Sequence, residues 1–262
     1  MIAPRALWLA LADAADAETL PRFRTGGTIA NKLGEAGFDP VTEADREAER
    51  AIREILARER PHDAILGEEH GATGEGARSL RWVIDPIDGT RAFVAGLPVW
   101  TTLIGLEREG RAAAGLASQP VTGERFLAPG DGSAVLLARG EERALRVSRR
   151  TEPAEAVAMT TDPALLDEVP EALEAIRTGV RLTRYGTDAY AFCALAAGAV
   201  DLVFERGVQP YDICAPIAIV EAAGGVATNW RGERAEPGGD IVCAASPALH
   251  AWALERLRPH AL

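Results

Sequence analysis

The sequence predicts a layered α/β protein, on three observations. The second half alternates short apolar strands with helical segments, the pattern of helices packed over a sheet. The first half sets two helical segments before a run of strand-like segments separated by glycine or charged turns. The chain's 262 residues, 47% hydrophobic and 26% charged, suffice for a full core, either as one large domain or as two closely packed halves.

Taken in order, residues 5–20 read as an amphipathic helix framed by Pro4 and Pro21. The segment ALWLALADAADA faintly resembles a secretory signal. Its apolar run is short, however, and Asp13, Asp16 and Glu18 fall where such a signal stays neutral. A glycine-rich turn at Gly26 and Gly27 follows. TEADREAERAIREILARE then reads as a long amphipathic helix, with Thr42 as N-cap and Ile52, Ile55 and Leu56 on one face. AILGEEHG is a short strand ending in acids, and GATGEGARS is a loop. RWVID is a strand that Pro86, lacking a donor, should end. WTTLIGLE, AAAGLASQ and ERFLA are strands, and GSAVLLARGEERALRV is a strand pair.

Between Val147 and Pro153 the chain turns polar and arginine-rich. This marks a boundary between subdomains 1–147 and 148–262 of a single domain spanning 1–262. Beyond it come the strand AVAMT, one helix over PALLDEVPEALEAIRTG, the strand RLTRYG and the helix TDAYAFCALAAGA. The strand VDLVFE, the helix YDICAPIAIVEAAGG, the strands VATNW and DIVCAAS and a C-terminal helix complete the chain.

Composition excludes several classes of function. A net charge of −11 would repel nucleic-acid phosphates. No window approaches the ~20 uninterrupted apolar residues of a membrane span. Three cysteines, Cys193, Cys214 and Cys243, are odd in number and far apart. They suit free thiols in a reducing cytoplasm and exclude a disulfide framework or a thiolate zinc site. The expected location is therefore cytoplasmic.

The acids are informative. In WVIDPIDGT, the residue before a proline is held extended, so Asp85 should project from a strand's carboxyl end, where ligands gather in open α/β sheets. Two carboxylates as close as Asp85 and Asp88 repel unless a proton or cation joins them. A hard cation such as magnesium takes oxygen ligands, and Asp85, Asp88 and the Ile87 carbonyl offer three. Backbone amides at Gly89 and Thr90 would meet a phosphate. The alternative for Asp88 is capping of the following helix. Three further acidic positions recur at element ends: Glu68 with Glu69 in GEEHG, Asp45 in DPVTEAD and Asp212 in QPYDICAP. Asp45 alone fits a capping-box variant, and Asp212 alone fits an N-cap. Together the four acidic ends point to a shared cation site. Lys32 is the sole lysine of the chain; it is either a chance loop residue or a compact charge near the carboxylates or the phosphate. His62, His70, His250 and His260 lie in no nucleophilic motif.

GEEHG, WVIDPIDGTRAF and PYDICAPIAIVEAAGG resemble, in this order, the metal-dependent inositol monophosphatase superfamily over nearly the whole chain. DPVTEADREAE, GTRAFVAGLPVW and VDLVFERGVQPYD look closest to its histidinol-phosphatase branch. The resemblance implies a layered α/β/α/β/α sandwich, two or three magnesium ions (Mg2+) per site and a homodimer. It also implies hydrolysis of a small-molecule phosphate ester by metal-activated water. The family's metal ligands fall on Glu68, Asp85, the Ile87 carbonyl, Asp88 and Asp212, and its phosphate-cradling turn on Gly89 and Thr90. Its water-positioning residues fall on Glu68, Asp45 and Thr90, and its loop lysine on Lys32.

Histidinol phosphate carries an ammonium and an imidazole, so its pocket should offer acids beyond the metals. Glu205, ending VDLVFE, is one candidate. Asp188 is the other, at a position where inositol-type members usually carry a small neutral residue. Asp188 also fits a first-turn acid of the following helix. Arg91 sits unfavourably in a helix's first turn and is expected to contact phosphate or a neighbouring subunit. The rival readings are an inositol, sugar or nucleotide phosphatase on the same core, and a non-catalytic regulator that binds phosphometabolites.

Overall fold

Side chains along the strands alternate between two faces, and in the central strands of this chain both faces are buried. The computed structural model describes residues 2–25, 29–31, 40–74 and 79–262. The glycine-rich turn, Lys32 and the middle of the 71–79 segment lie outside the described residues.

The first half begins with helix α1 (Arg5–Thr19), the paired short strands β1 (Ile29–Asn31) and β2 (Pro40–Thr42), and helix α2 (Glu43–Glu59). Strands β3 (Ala64–Gly67), β4 (Gly71–Thr73) and β5 (Leu80–Asp88) follow, then the short helix α3 (Thr90–Val94). Next come β6 (Thr101–Arg108), β7 (Arg111–Gln119), β8 (Glu124–Ala128), β9 (Val135–Ala138) and β10 (Glu141–Ala144). Strands β3 to β10 form one sheet in the order β10-β9-β8-β7-β6-β5-β3-β4. Part of the expected loop at 71–79 is therefore strand: Gly71–Thr73 pairs antiparallel with β3.

The second half holds β11 (Val157–Thr160), α4 (Pro170–Arg177), β12 (Leu182–Tyr185), α5 (Tyr190–Ala196) and β13 (Leu202–Val208). It ends with α6 (Pro210–Ala222), β14 (Val226–Thr228), β15 (Gly239–Ala244) and α7 (Pro247–Leu257). Its strands form a second sheet in the order β12-β11-β13-β15-β14. The single helix expected over 163–179 is split into a 3-10 turn at Pro163–Leu166 and α4. Pro170 disfavours helical geometry at Val169, whose φ is −140°, and the helix restarts at the proline itself. VDLVFE likewise runs on to Val208, because a bulge between Arg206 and Val208 lets pairing with β15 continue.

The alternation sorts these elements into an α/β/α/β/α sandwich. Trp82, Ile84, Ile104 and Leu116 on one face of the large sheet pack against Trp8 and Leu11 of α1 and Ile52 and Leu56 of α2. The opposite face presents Leu103, Ala117 and Phe126 to α5 and α6, which also meet Val203, Ile241 and Cys243 of the small sheet. The outer face of the small sheet, including Leu202, Phe204 and Val242, is covered by Ile176 of α4 and by Leu249 and Leu257 of α7. Each fully buried leucine, isoleucine, valine or phenylalanine among them contributes about 1.5–3 kcal/mol. Among the described residues, no helix is long and apolar enough to cross a membrane. The three cysteines are free and buried.

Helix α6 is held against the large sheet by two glycines. Gly105 of β6 and Gly115 of β7 are opposite one another in the ladder. A Cβ on Gly105 would run into Cys214, and one on Gly115 would lie 2.7 Å from the Ala215 carbonyl oxygen. The missing side chains make a trough for the first turns of α6, which carry Asp212.

Candidate active site

Proline does not end β5; it bends it. The ladder with β6 pairs Asp85 with Leu103, slips, and resumes at Asp88 with Thr101. A bulge accommodates Pro86 because two residues there leave the hydrogen-bond register. The Pro86 carbonyl accepts from the Thr102 hydroxyl at 2.7 Å instead. Within the bulge the Ile87 amide donates to Asp85 Oδ1 at 3.0 Å, an Asx turn that orients this carboxylate. Gly89 follows at φ 83° and is the N-cap of α3. Asp88 therefore does not cap α3; its Oδ2 accepts the Ala189 amide at 2.6 Å, a bond that joins the two halves of the chain.

The bulge brings the predicted acids together. One carboxylate oxygen from each of Asp85, Asp88 and Asp212 lies within 4.8 Å of the others. These three line a cleft of about 470 Å³ together with Glu68 and Ile87. Gly89, Thr90 and Arg91 line the same cleft on the α3 side, and Asp188 faces them. Glu68 arrives just past the end of β3, where its amide donates to the Ile84 carbonyl at 3.1 Å. Asp212 is the third residue of α6 rather than its N-cap, and its Oδ2 accepts the Gln209 amide at 2.7 Å. Pro216 lacks the N–H that would otherwise bond to the Asp212 carbonyl.

Electrostatically the cluster is strained without a cation. Burial, followed by the charges of Glu68, Asp88 and Asp212, pushes the Asp85 carboxyl well above the usual range. Asp88 is pushed well up by burial and then by Asp188 and Asp212, against the Ala189 hydrogen bond. Asp212 is raised to about 7, again chiefly by burial and partly offset by the Gln209 amide. An all-oxygen donor set of mutually repelling carboxylates, with Ile87 beside them in the cleft lining, fits a hard divalent cation.

Asp45 is buried behind Thr90. Its Oδ2 accepts the Thr42 amide at 2.9 Å and the Thr42 hydroxyl at 2.5 Å, so the capping box is real. Its other oxygen faces the Thr90 hydroxyl at 3.5 Å, the limit of a hydrogen bond, while that hydroxyl donates to the Ile87 carbonyl at 3.0 Å. Burial raises Asp45 to about 6.

The candidate selectors also converge on the site. Asp188 does not begin α5. It lies two residues ahead, at φ 44°, a left-handed conformation that aspartate tolerates. A Cβ on Gly89 would lie 3.0 Å from Asp188 Oδ2, so a side chain there would press on Asp188 as well as strain the φ. Asp188 is raised to about 6 by burial, against the lowering effect of the nearby Arg91 guanidinium. Glu205 is buried and accepts from the hydroxyls of Thr160 at 3.2 Å and Thr161 at 3.0 Å. It shares a second cavity of about 170 Å³ with Asp188, Asp88 and Asp212. Arg91 is exposed at the mouth.

Thr161, Asp162 and Leu165 also line the mouth. Sequence reasoning missed them, although TTDP places an acid before a proline at the carboxyl end of β11, as DPIDGT does for β5. A groove of about 560 Å³ lies elsewhere, beside α1 and β8. There Arg125 pairs with Asp16 and Arg5 with Glu142. None of the four histidines lines the acid cleft; His250 is buried against the Thr228 hydroxyl at 2.8 Å.

The sequence pattern described as the inositol monophosphatase family matches residues 7–261. The chain belongs to the inositol monophosphatase family. It is 38% identical over 261 residues to the bifunctional phosphatase IMPL2 of Arabidopsis thaliana, covering 96% of this chain and 74% of that protein. It is 34% identical over 255 residues to the histidinol-phosphatase of Mycobacterium tuberculosis, covering 96% and 97% of the two chains. Among solved structures, an inositol monophosphatase from Zymomonas mobilis superposes with a TM-score of 0.84 at 36% identity, covering 97% of both chains. Members of this family are metal-dependent phosphatases, and this chain is a phosphatase of that family with its acidic cluster assembled.

Proposed function

We propose that the chain hydrolyses L-histidinol phosphate to L-histidinol and phosphate, using two or three magnesium ions. The observation that carries the choice of substrate is the pair Asp188 and Glu205. Both face a cavity that opens from the acid cluster, beyond the groups needed to hold cations. A leaving group bearing an ammonium and an imidazole would pair with the negative charge these acids can carry, whereas a neutral polyol would gain nothing from it.

Glu68, Asp85, Asp88, Asp212 and the Ile87 carbonyl would hold the magnesium. The bound ions supply Lewis acidity at the phosphoryl oxygens and lower the pKa of water. The chain's own groups do the rest. The Gly89 and Thr90 amides orient the phosphate, and Arg91 adds a positive charge at the mouth. Thr90 would hold the attacking water in line: its hydroxyl turns from the Ile87 carbonyl toward Asp45 and gives its proton to that carboxylate as it takes one from the water, so the proton ends on Asp45. Glu205, raised to about 8 by burial, is protonated near neutrality when alone. An approaching ammonium would favour its charged form and release that proton. The two halves of the leaving-group pocket come from β13 and from the turn before α5.

The test compares kcat/KM on L-histidinol phosphate and on inositol 1-phosphate for wild type, Asp188→Asn and Glu205→Gln. A charge-assisted hydrogen bond contributes about 1.5–3 kcal/mol, so each variant should lose about tenfold to a hundredfold more on histidinol phosphate. Equal losses on both substrates would assign these acids to the metals or the fold. Faster wild-type turnover of inositol 1-phosphate would favour the activity named for the Zymomonas mobilis relative. No phosphate release from any of these esters would favour a binding regulator. The proposed assembly is a homodimer, which light scattering would check.

A further inference from the structure

We propose that Glu49, which does not line the cleft, is a positioning residue that aims Glu68 at the cation site. Glu49 lies one helical turn beyond Asp45 on α2 and is fully buried. Its Oε2 accepts the Glu69 amide at 2.7 Å, and its Oε1 accepts the His70 amide at 3.2 Å and Arg53 Nε at 2.6 Å. The guanidinium of Arg53 also reaches the Thr73 hydroxyl at 3.1 Å and the Gly71 carbonyl. One carboxylate thus ties α2 to the whole turn between β3 and β4.

The consequence for Glu68 is geometric. The peptide before its Cα is held by β5, through the Glu68 amide on the Ile84 carbonyl at 3.1 Å. The peptide after its Cα is held by α2, through the Glu69 amide on Glu49. Both backbone dihedrals of Glu68 are therefore set, one by the residue next to Asp85 and the other by Glu49. Gly67 has no side chain because the Glu49 carboxylate occupies the space a Cβ would need. Asp45 and Glu49, spaced i,i+4 on one face of α2, support the site from two directions, Asp45 behind Thr90 and Glu49 behind Glu68.

This inference rests on reading the acid cluster as a divalent-metal site, and its readout is metal affinity rather than turnover. In Glu49→Gln the amide keeps one acceptor and turns an NH2 toward groups that all donate, so the Glu68–His70 turn must shift. Isothermal titration of the full chain with magnesium should show affinity weakened about 10–100-fold, the usual effect of removing a partner behind a ligand. The magnesium concentration for half-maximal activity should rise by the same factor, with KM for the phosphate ester at saturating metal unchanged. Glu49→Asp keeps the charge opposite Arg53 but withdraws it from the turn, and so carries the same test if the glutamine variant fails to fold. Glu47→Gln, at a half-buried position of α2 where the carboxylate pairs with Arg50 rather than with the Glu68–His70 turn, is the control and should bind as wild type. A folded Glu49→Gln or Glu49→Asp protein within about twofold of wild-type affinity would overturn the inference and leave the buried ion pair as fold stability alone. A wild-type chain that takes up no divalent ion would overturn the metal site and this inference with it.

Discussion

Replacing Gly115 with alanine should loosen the seat of α6 and, through it, misplace Asp212. A Cβ there would lie 2.7 Å from the Ala215 carbonyl oxygen and 2.8 Å from its Cα. Both neighbours are helix backbone, so no rotamer change relieves the overlap. Non-bonded carbons settle at about 3.5–4.0 Å, so α6 must retreat by about 1 Å. Overpacking on this scale destabilises by about 1–3 kcal/mol. For a chain of this length that lowers Tm by about 2–12 °C. Asp212 sits three residues before Ala215 on the same helix and moves with it. A misplacement of about 1 Å can lower kcat about a hundredfold even far from the chemistry. Calorimetry combined with phosphate release at saturating magnesium measures both effects. In Gly105→Ala the nearest atoms belong to the Cys214 side chain, so Cys214→Ala should return part of the loss there. Gly115→Ala with wild-type Tm and wild-type kcat would refute the trough as the device that places Asp212.

Asp85→Asn should abolish phosphate release by several orders of magnitude while preserving the fold, and should raise the Tm of the metal-free protein because it removes one of the repelling acids. Near-normal activity of that variant, or of wild type in EDTA, would be incompatible with the proposed chemistry. Saturating magnesium should raise the wild-type Tm, with about 2.7 kcal/mol of stabilisation at a hundred times Kd; an unchanged thermogram would contradict a preformed site. Glu205 gives the pH dependence. Its carboxyl is raised from 4.5 to about 8 by burial, so the folded state holds a proton that the unfolded chain has released. The stability it allows is fully present below about pH 4.5, declines as pH rises through the window up to about 8, and is then flat. Glu205→Gln removes this slope, so urea titrations at pH 5 and pH 8.5 should show the variant gaining on wild type by a few kcal/mol at the higher pH. An equal difference at both values would mean that Glu205 is charged in the folded protein.

Local chemistry determined much of this protein in advance. Apolar runs bounded by turn residues marked most strands, because a short strand buried on both faces leaves an unbroken apolar record whatever its partners are. Thr42 and Asp45 announced the start of α2, since a capping box is satisfied within four residues. The DPIDGT segment marked the site, because a proline between two acids restricts the backbone wherever it is folded. What remained hidden was whatever depends on residues distant in the chain. Pro86 read as a strand's end, but pairing with Thr101 carried β5 past it as a bulge. Asp88 read equally as a cap, and only the approach of the Ala189 amide, 101 residues away, gave it another partner. Nothing near Glu49 in the sequence indicates that the Glu69 and His70 amides, 20 and 21 residues away, will meet it. Likewise, nothing near Gly105 and Gly115 in the sequence indicates that α6 lies across them. Hydrogen-bond direction and strand period are written over a few residues, but burial and close approach exist only between segments, so tertiary packing alone decided how four scattered acids became one site.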